Sequence, residues 1–390
     1  MSEWKNLRLT QVGILKRGKS RYRPRYAFHL YGGKYPFIQT GEIKAANKYI
    51  NHFENTYSEA GLAQSRLWPK GTLCITIAAN IAEIAILTFD ACFPDSVLGF
   101  IPHNDKCDLD FVFYTLKHFQ RELQVFGDGS VQDNINLGTF EQISFPFPEP
   151  TEQRVIASVL SSLDDKIDLL HRQNKTLESM AAAVFIYFFV DNRNTDWQEC
   201  TVGKLAHHEK ISIHPNRDPS TLFYHYSIPA FDETQMPIRE LGSLIHSNKY
   251  KVMENTILFS KLNPHKDKRV WLIPSSIAEN SVCSTEFQVM NPKDEKYLLF
   301  LCGFISHPEN YDELAAGVGG TSSSHQRIDP EVIFKFSCFL PDDITLTNYN
   351  EMVKPIFAKI HRNRESMQTI MHLRDLLLPK LMSGEVRVKP

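Results

Sequence analysis

The 390-residue sequence predicts an α+β protein in which two β-rich domains, related by pseudo-twofold symmetry, are separated by two long antiparallel coiled-coil helices. Three observations lead to this prediction. The chain repeats itself at a fixed offset, each repeat begins with short apolar segments typical of strands, and each ends in a long heptad pattern. A chain of this length also exceeds what one hydrophobic core ordinarily fills, so two domains are expected.

The internal repeat has an offset of 193 residues. It takes Trp4 to Trp197, and it also relates Gly127 to Gly320, Ser144 to Ser337, Pro148 to Pro341 and Lys166 to Lys359. Identity between the halves is low, but their apolar character stays in register from residue 127 to residue 185. We therefore divide the chain into a first domain (1–150), a central helix (151–192), a second domain (193–343) and a C-terminal helix with its tail (344–390).

Each predicted domain is rich in strand-like segments. Residues 71–77 (GTLCITI) in the first half and 255–261 (NTILFSK) in the second alternate in the manner of strands. Both regions end in a proline-containing segment, which we call the domain exit. The two exits are residues 145–150 (FPFPEP) and 338–343 (CFLPDD). Because proline interrupts sheet ladders and helix interiors, these exits predict the junction between each sheet region and the helix that follows.

The two predicted helices carry narrow apolar stripes with spacings that alternate between three and four residues, as in a coiled coil. The first stripe consists of Ile156, Leu160, Leu163, Ile167, Leu170, Asn174, Leu177, Ala181 and Val184. The second consists of Val353, Ile356, Ile360, Asn363, Met367 and Ile370. Neither helix can bury its stripe alone, so we predict that they pair. The alternative is that each helix packs across its own sheet, which usually requires a wider apolar face.

The two stripe asparagines predict the register of the pair, because a buried Asn that meets another Asn fixes alignment. Placing Asn174 opposite Asn363 makes most other facing pairs apolar. Two pairings are imperfect, because Leu163 would then face Arg374 and Ala181 would face Ile356. In this arrangement the helices act as a ruler that sets the distance between the two domains.

Motifs that would indicate catalysis are absent from the sequence: there is no G-x-x-x-x-G-K-[ST] loop, no N-P-P-[YF] tetrapeptide, no H-E-x-x-H and no G-x-S-x-G. The glycine-rich segment 317–322 lacks nucleotide-binding spacing and is interpreted as a tight loop. Asp164 and Asp165 lie on the central helix, where we interpret them as a solvated face. These observations predict a protein without its own catalytic site, metal or cofactor.

The cysteine content and the hydropathy predict a reducing, non-membrane location. The seven cysteines are scattered and include no C-x-x-C pair, so neither a zinc site nor a disulfide framework is expected. The first residues lack the apolar segment of a secretion signal, and the most apolar run, residues 180–190, falls short of the roughly 20 residues that span a bilayer. We therefore expect a cytoplasmic protein.

Positive charge is concentrated in one segment of each half, although the net charge is only -2. Residues 1–34 hold nine Lys or Arg against one acid, with the aromatic residues Tyr22, Tyr26, Phe28 and Tyr31 among them. Residues 249–269 hold six bases and two acids. Two basic segments on a repeated scaffold are consistent with two phosphate-binding surfaces. The alternative is that both are ordinary solvated loops.

The arrangement of β-rich domain, long helix, second β-rich domain and second long helix resembles the specificity subunits of Type I restriction-modification systems. Short sequence segments also resemble that family, and the most specific of them is 376–386 (LLLPKLMSGEV). The others are 4–9 (WKNLRL), 197–204 (WQECTVGK), 35–43 (YPFIQTGEI), 71–81 (GTLCITIAANI), 256–264 (TILFSKLNP) and 147–156 (FPEPTEQRVI). Two features depart from the family pattern. Ala82 stands where glycine is frequent, and the second domain exit lacks the Glu-Gln-Arg of the first.

The resemblance implies that each β-rich domain is a target-recognition domain that reads one half of a bipartite double-stranded DNA target. It also implies two modification subunits, which bind S-adenosylmethionine and methylate DNA, and two restriction subunits, which use ATP and Mg²⁺. This chain would then direct those subunits to DNA without catalysing a reaction. Two other hypotheses are a Type II fusion enzyme that lacks recognisable motifs and a coiled-coil adaptor that does not contact DNA.

The residues predicted to contact DNA are cations, which bind phosphates, and planar or hydroxyl side chains, which read base edges. In the first domain they are Lys16, Arg17, Lys19, Arg21, Arg23, Arg25, Gln39, Thr40, Ser130, Gln132 and Asn134. In the second domain they are Lys261, Lys266, Lys268, Arg269, Ser322, His325, Gln326 and Arg327.

Overall fold

The computed structural model describes residues 4–22, 24, 27–78, 80–128, 137–264, 268–316 and 327–388. It divides into two compact units. The first unit comprises residues 1–166 and 370–390, and the second comprises residues 167–369. Each long helix therefore contributes one part to each unit, whereas the sequence analysis set the helices apart as segments of their own.

The first unit contains strands β1–β11, six short helices α1–α6 and the beginning of helix α7 among its described residues. The strands are β1 Lys5–Arg8, β2 Gly13–Arg17, β3 Tyr31–Phe37, β4 Tyr49–Ile50, β5 Asn55–Tyr57, β6 Leu67–Trp68, β7 Leu73–Thr76, β8 Ile84–Leu87, β9 Ala91–Cys92, β10 Val97–Pro102 and β11 Ser144–Phe147. The helices are α1 Leu9–Val12, α2 Thr40–Ala45, α3 Glu59–Gln64, α4 Leu109–His118, α5 Gln120–Asp128, α6 Leu137–Gln142 and α7 Pro150–Ile186.

The second unit contains strands β12–β22, helices α8–α12 and most of helix α13. The strands are β12 Gln198–Thr201, β13 Ala206–His208, β14 Ser212–Ile213, β15 Leu222–Tyr226, β16 Ile238–Leu241, β17 Lys249–Lys251, β18 Ile257–Ser260, β19 Val270–Leu272, β20 Ser281–Ser284, β21 Phe287–Pro292 and β22 Ser337–Leu340. The helices are α8 Val202–Leu205, α9 Ile228–Glu233, α10 Leu298–Ser306, α11 Pro308–Ala316, α12 Pro330–Lys335 and α13 Asp343–Met382.

The two units share the order of their matched strands, and each adds one edge strand of its own, β4 in the first unit and β14 in the second. In the first unit the sheets have the orders β2-β10-β7-β8-β4, β5-β3-β9-β6 and β1-β11. In the second they are β13-β21-β18-β19, β14-β17-β20-β15-β16 and β12-β22. One parallel pair corresponds between the units: β3 pairs with β9 in the first unit, and β15 pairs with β20 in the second. The prediction of an α+β fold with sheets in each half and two long helices is confirmed.

The offset of 193 residues is exact at the ends of the repeat and shifts within it. It relates the start of β1 to that of β12, β2 to β13, β11 to β22, and α7 to α13. The central strands β7 and β18, which contain the two alternating segments, start 184 residues apart. All four residues of each of these two strands are buried, because helices and a second sheet cover both faces. The two halves therefore differ in length by nine residues between β2 and β7, and by nine residues in the opposite sense between β7 and β11.

The apolar stripes of the long helices are buried or half-buried at every predicted position. In the first unit, Ile156 and Leu160 of α7 share a core with Leu381 and Met382 of α13. In the second unit, Phe185, which follows Val184 of the α7 stripe, shares a core with Val353 of α13. Each helix segment thus packs against both the other helix and the sheet region of its own unit.

Within the second unit, α7 and α13 run antiparallel. Asn174 contacts Asn363, and eleven residues later Phe185 contacts Tyr349, which precedes Asn363 in sequence. The structure therefore brings the two asparagines together, as the register predicts. In the first unit, the predicted register places Arg374 opposite Leu163. The guanidinium of Arg374 donates to the carboxylate of the residue after Leu163, Asp164 (2.8 Å).

Candidate nucleic-acid interface

The basic segment of the first unit begins at the end of β2, the edge strand of the five-stranded sheet. Lys16 and Arg17 end β2, an edge strand, and both side chains are exposed. The backbone N–H of Gly18 then donates to the carbonyl of Val97, the first residue of β10 (2.8 Å), and that of Lys19 donates to the Phe93 carbonyl in the loop before β10 (3.1 Å). A side chain at Gly18 would overlap the Pro94 carbonyl, so only glycine allows this close approach. The result is a fixed backbone from which the exposed Lys16 side chain extends, while Nε of the exposed Arg17 side chain donates to the Asp95 carbonyl.

Arg21 continues this exposed segment. Its side chain is exposed, while its backbone N–H donates to Oε1 of Gln64 on α3 (2.7 Å). Among the aromatic residues, Phe28 is 95% exposed and Tyr22 lies edge-on against His29 with ring centroids 5.0 Å apart. Tyr31, in contrast, packs against the core residue Tyr57. Exposed rings beside exposed cations suit contact with a nucleic acid, whose bases and phosphates both lie at the surface.

The remaining candidates of the first unit are not brought together with this segment in the described residues. Gln39 and Thr40 lie at the start of α2 rather than on a turn, and the backbone N–H of Gln39 donates to Oε2 of Glu42 (3.1 Å). Both side chains are half-buried. The other candidates lie outside the described residues: Arg23, Arg25, Ser130, Gln132 and Asn134.

In the second unit, two predicted residues, Lys261 and Arg327, lie next to each other. Lys261 follows β18, and its backbone N–H donates to the carbonyl of Glu286 (2.9 Å). Its own carbonyl accepts from the N–H of Ile328 (3.1 Å). Three chain segments distant in sequence, those of Lys261, Glu286 and Arg327, therefore meet at one place on the surface.

This cluster includes two residues that the sequence analysis did not identify, Lys210 and Glu286. The Arg327 guanidinium donates to both oxygens of Glu286, at 3.0 and 2.7 Å. Burial lowers the pKa of His208 to about 4, and the charges of Lys210 and Lys261 contribute to this shift. His208 is therefore neutral at pH 7. No sequence pattern links Glu286 to Arg327, which is why only the fold reveals their contact.

Two other predicted cations of the second unit, Arg269 and Lys268, bind groups of the protein itself. Arg269 is 7% exposed, and its guanidinium donates to both oxygens of Asp232, at 2.6 and 2.8 Å. Because its charge is already neutralised there, we remove Arg269 from the predicted DNA-binding residues. Lys268 is exposed, but its Nζ donates to the Ser306 carbonyl and lies 4.9 Å from the ring centroid of Tyr311. Lys266, Ser322, His325 and Gln326 lie outside the described residues.

The described part of the chain offers no group of three or more His, Cys, Asp or Glu side chains that could hold a metal ion. Within that same part, no helix combines the length and the apolar character needed to cross a membrane. Among the described residues, the first unit carries an exposed basic segment, and the second unit carries a cluster of cations around a carboxylate.

Comparison with known proteins shows which class of protein this chain resembles. Residues 1–179 match the model of the Type I restriction modification DNA specificity domain. The chain is 26% identical to the MjaIX specificity subunit of a Type I restriction enzyme from Methanocaldococcus jannaschii, over 92% of this chain and 88% of that protein. It is 24% identical to the putative MjaX specificity subunit of the same organism, over 45% of this chain and 40% of that protein.

A solved structure shares the fold. The S subunit of a Type I restriction-modification system from M. genitalium aligns with a TM-score of 0.62 at 14% identity, covering 97% of this chain and 96% of that one. Sequence and fold together support a protein that recognises DNA. Residues 1–179 thus match a Type I restriction modification DNA specificity domain, and the chain resembles the specificity subunits of Type I restriction enzymes over nearly its whole length.

Proposed function

We propose that the chain reads a bipartite double-stranded DNA target, with one half-site contacted by each unit. The observation that carries this proposal is the repeated scaffold with a separate cationic surface in each copy. The exposed Lys16, Arg17 and Arg21 supply the first surface, and Lys210, Lys261 and Arg327 supply the second. Cations of this kind neutralise phosphates, and planar side chains beside them can read base edges.

The proposal extends to the partners and their location. Two modification subunits would supply S-adenosylmethionine-dependent methylation, and two restriction subunits would supply ATP- and Mg²⁺-dependent cleavage, while this chain binds no cofactor. We also place the chain in the cytoplasm, where its proposed DNA target and partners would lie. The resemblance to the family and the lack of catalytic motifs in the sequence support this division of labour.

The test is a selection of duplexes from a random library by the purified chain together with its modification subunits. The proposal expects an enriched motif made of two short blocks of specified bases, separated by a fixed number of unspecified ones. It also expects the chain alone neither to cut nor to methylate DNA. A single continuous block, or cleavage by the chain alone, would contradict the proposal and would favour the fusion-enzyme hypothesis. Failure to enrich any duplex at low salt would favour the adaptor hypothesis.

A further inference from the structure

The ion pair between Arg327 and Glu286 holds the guanidinium in one orientation. Nε of Arg327 donates to Oε2 of Glu286 (3.0 Å), and Nη2 donates to Oε1 (2.7 Å). Two parallel bonds fix the plane of a guanidinium as well as its position. The Arg327 side chain is 54% exposed, whereas that of Glu286 is 26% exposed. The carboxylate thus lies on the protein side of the pair and the guanidinium lies toward solvent.

Glu286 binds the edge of the guanidinium that Nε and Nη2 form, so the edge that Nη1 and Nη2 form does not face the carboxylate. Of its five N–H groups, the Nε proton and one Nη2 proton point to Glu286. The second Nη2 proton and one Nη1 proton point outward along a common edge. Nη1 has no hydrogen-bond partner in the part of the chain that the structure describes. Two parallel donors at this spacing match O6 and N7 of guanine, which both accept hydrogen bonds in the major groove.

The charge of the pair favours a base over a phosphate. Arg327 and Glu286 together carry no net charge, so the long-range attraction to phosphate is largely cancelled, whereas the directional donors remain. The positive charge that a phosphate requires comes from the neighbouring lysines, the exposed Lys210 and the half-buried Lys261. Burial lowers the pKa of Lys261, and although Glu286 opposes this shift, Arg327 and Lys210 add to it. Glu286, Arg327 and Lys210 therefore all lie within electrostatic reach of Lys261.

The backbone around the pair is fixed by hydrogen bonds. The N–H of Lys261 donates to the Glu286 carbonyl (2.9 Å), and the N–H of Glu286 donates to Oγ of Ser284 (3.2 Å). The N–H of Ile328, the residue after Arg327, donates to the Lys261 carbonyl (3.1 Å). A reading side chain needs such support, because a shift of about 1 Å misaligns a bidentate contact.

We propose that Glu286 is a specificity-positioning residue that orients Arg327 to read one guanine in the half-site of the second unit, while Lys210 and Lys261 bind adjacent phosphates. The inference rests on the proposed function, since it requires that the second unit contacts a half-site. It adds the base that is read, the residue that reads it and the residue that orients the reader.

The test uses the full chain with its modification subunits, and it measures both base preference and the dependence of affinity on salt. The double variant E286Q/R327M removes the pair at constant net charge. It should reduce the preference for guanine at one position by about 10- to 100-fold and leave the salt slope unchanged. E286Q alone leaves an unpaired Arg327, so it should weaken the same preference, tighten binding to nonspecific duplex and steepen the salt slope by about one. K210Q should lower the slope by about one without changing any base preference.

The control is E331Q, which removes a carboxylate from an exposed ion pair with Lys335 (2.6 Å) in the same unit. It should change neither readout, and thermal unfolding verifies that every variant folds. A double variant that flattens the salt slope but keeps every base preference would show that the pair binds phosphate, which overturns the inference. Equal effects of E286Q and E331Q would also overturn it. If the wild-type chain prefers no base in either block, the proposed function itself has failed.

Discussion

Nδ2 of Asn363 donates a hydrogen bond to Oδ1 of Asn174 across the two long helices, at 2.8 Å. The two residues lie 189 positions apart in sequence and are 2% and 6% exposed. Nδ2 of Asn174 in turn donates to the Ile360 carbonyl (3.4 Å). A polar pair within an apolar seam disfavours every register in which one amide would face a hydrocarbon side chain. The contact therefore specifies alignment at some expense of stability.

Replacing one member of the pair should destabilise the second unit. N174L buries the Asn363 amide against leucine and should lower the free energy of unfolding by about 1–3 kcal/mol. N174L/N363L replaces both amides by apolar groups and should recover most of that loss. Urea denaturation of the two single variants and the double variant measures the coupling. Purely additive losses would mean that the two asparagines do not act as a pair.

Asp164 should be more important for stability than its neighbour Asp165. Oδ1 of Asp164 accepts from Nη1 of Arg374 (2.8 Å), and Oδ2 accepts from the Tyr114 hydroxyl (2.6 Å), whereas Asp165 is exposed. D164A removes the acceptor of the buried Tyr114 hydroxyl and one of the two carboxylates that bind the Arg374 guanidinium, the other being Asp375. The free energy of unfolding should therefore fall by about 2 kcal/mol. D165A is the matched control and should change it by less than about 0.5 kcal/mol. Equal losses in the two variants would refute the assigned role.

Neutralising Arg21 together with Arg23 should weaken DNA binding without changing sequence preference. Phosphate contacts contribute equally to all sequences, so R21Q/R23Q should lower affinity for every duplex and reduce the salt slope by about two. Fluorescence anisotropy titrations at several salt concentrations measure both quantities. The control K166Q/K175Q removes two exposed cations from helix α7 and should leave the slope unchanged. An unchanged slope in R21Q/R23Q would place this segment outside the interface.

The neutral state of His208 should make the stability of the second unit depend on pH. Burial lowers the pKa of His208 from its ordinary value of 6.5 to about 4. Between these values the unfolded chain binds a proton that the folded chain does not, so stability falls as pH decreases from 6.5 to 4. In H208Q this part of the dependence should disappear. The difference in urea midpoint between the wild type and H208Q, measured at pH 7 and at pH 4.5, isolates it. The same difference at both pH values would contradict the assignment.

The helices and their seam could be predicted from the sequence because heptad spacing is a local property of the chain. Asn174 and Asn363 could be matched because both interrupt otherwise apolar stripes. Asp164 was misinterpreted as solvated, because its partners Tyr114 and Arg374 are 50 and 210 residues away. Ala82, which departs from the family pattern, has a φ of 60°, so the position requires the left-handed backbone conformation that glycine adopts readily.

The candidate interface could be predicted only in part. Charge density along the sequence identified the segment of Lys16, Arg17 and Arg21, because those residues are contiguous. It did not distinguish Arg269, which pairs with Asp232, from Arg327, which remains half-exposed. Both arginines bind a carboxylate about 40 residues away, and only the burial of each pair separates a structural arginine from a candidate reader.

The central claim, that two DNA readers are held at a spacing set by the paired helices, is tested most directly by lengthening both helices. Four residues inserted after Asn174 and four before Asn363 preserve the asparagine pair, extend each helix by about 6 Å and add about 40° of rotation beyond one full turn. One base pair twists DNA by a similar angle.

Duplex selection with the wild-type and lengthened chains compares the two targets. The account predicts that the lengthened chain selects the same bases in both blocks, with a spacer longer by about one or two base pairs. An unchanged spacer, or different bases in either block, would contradict it.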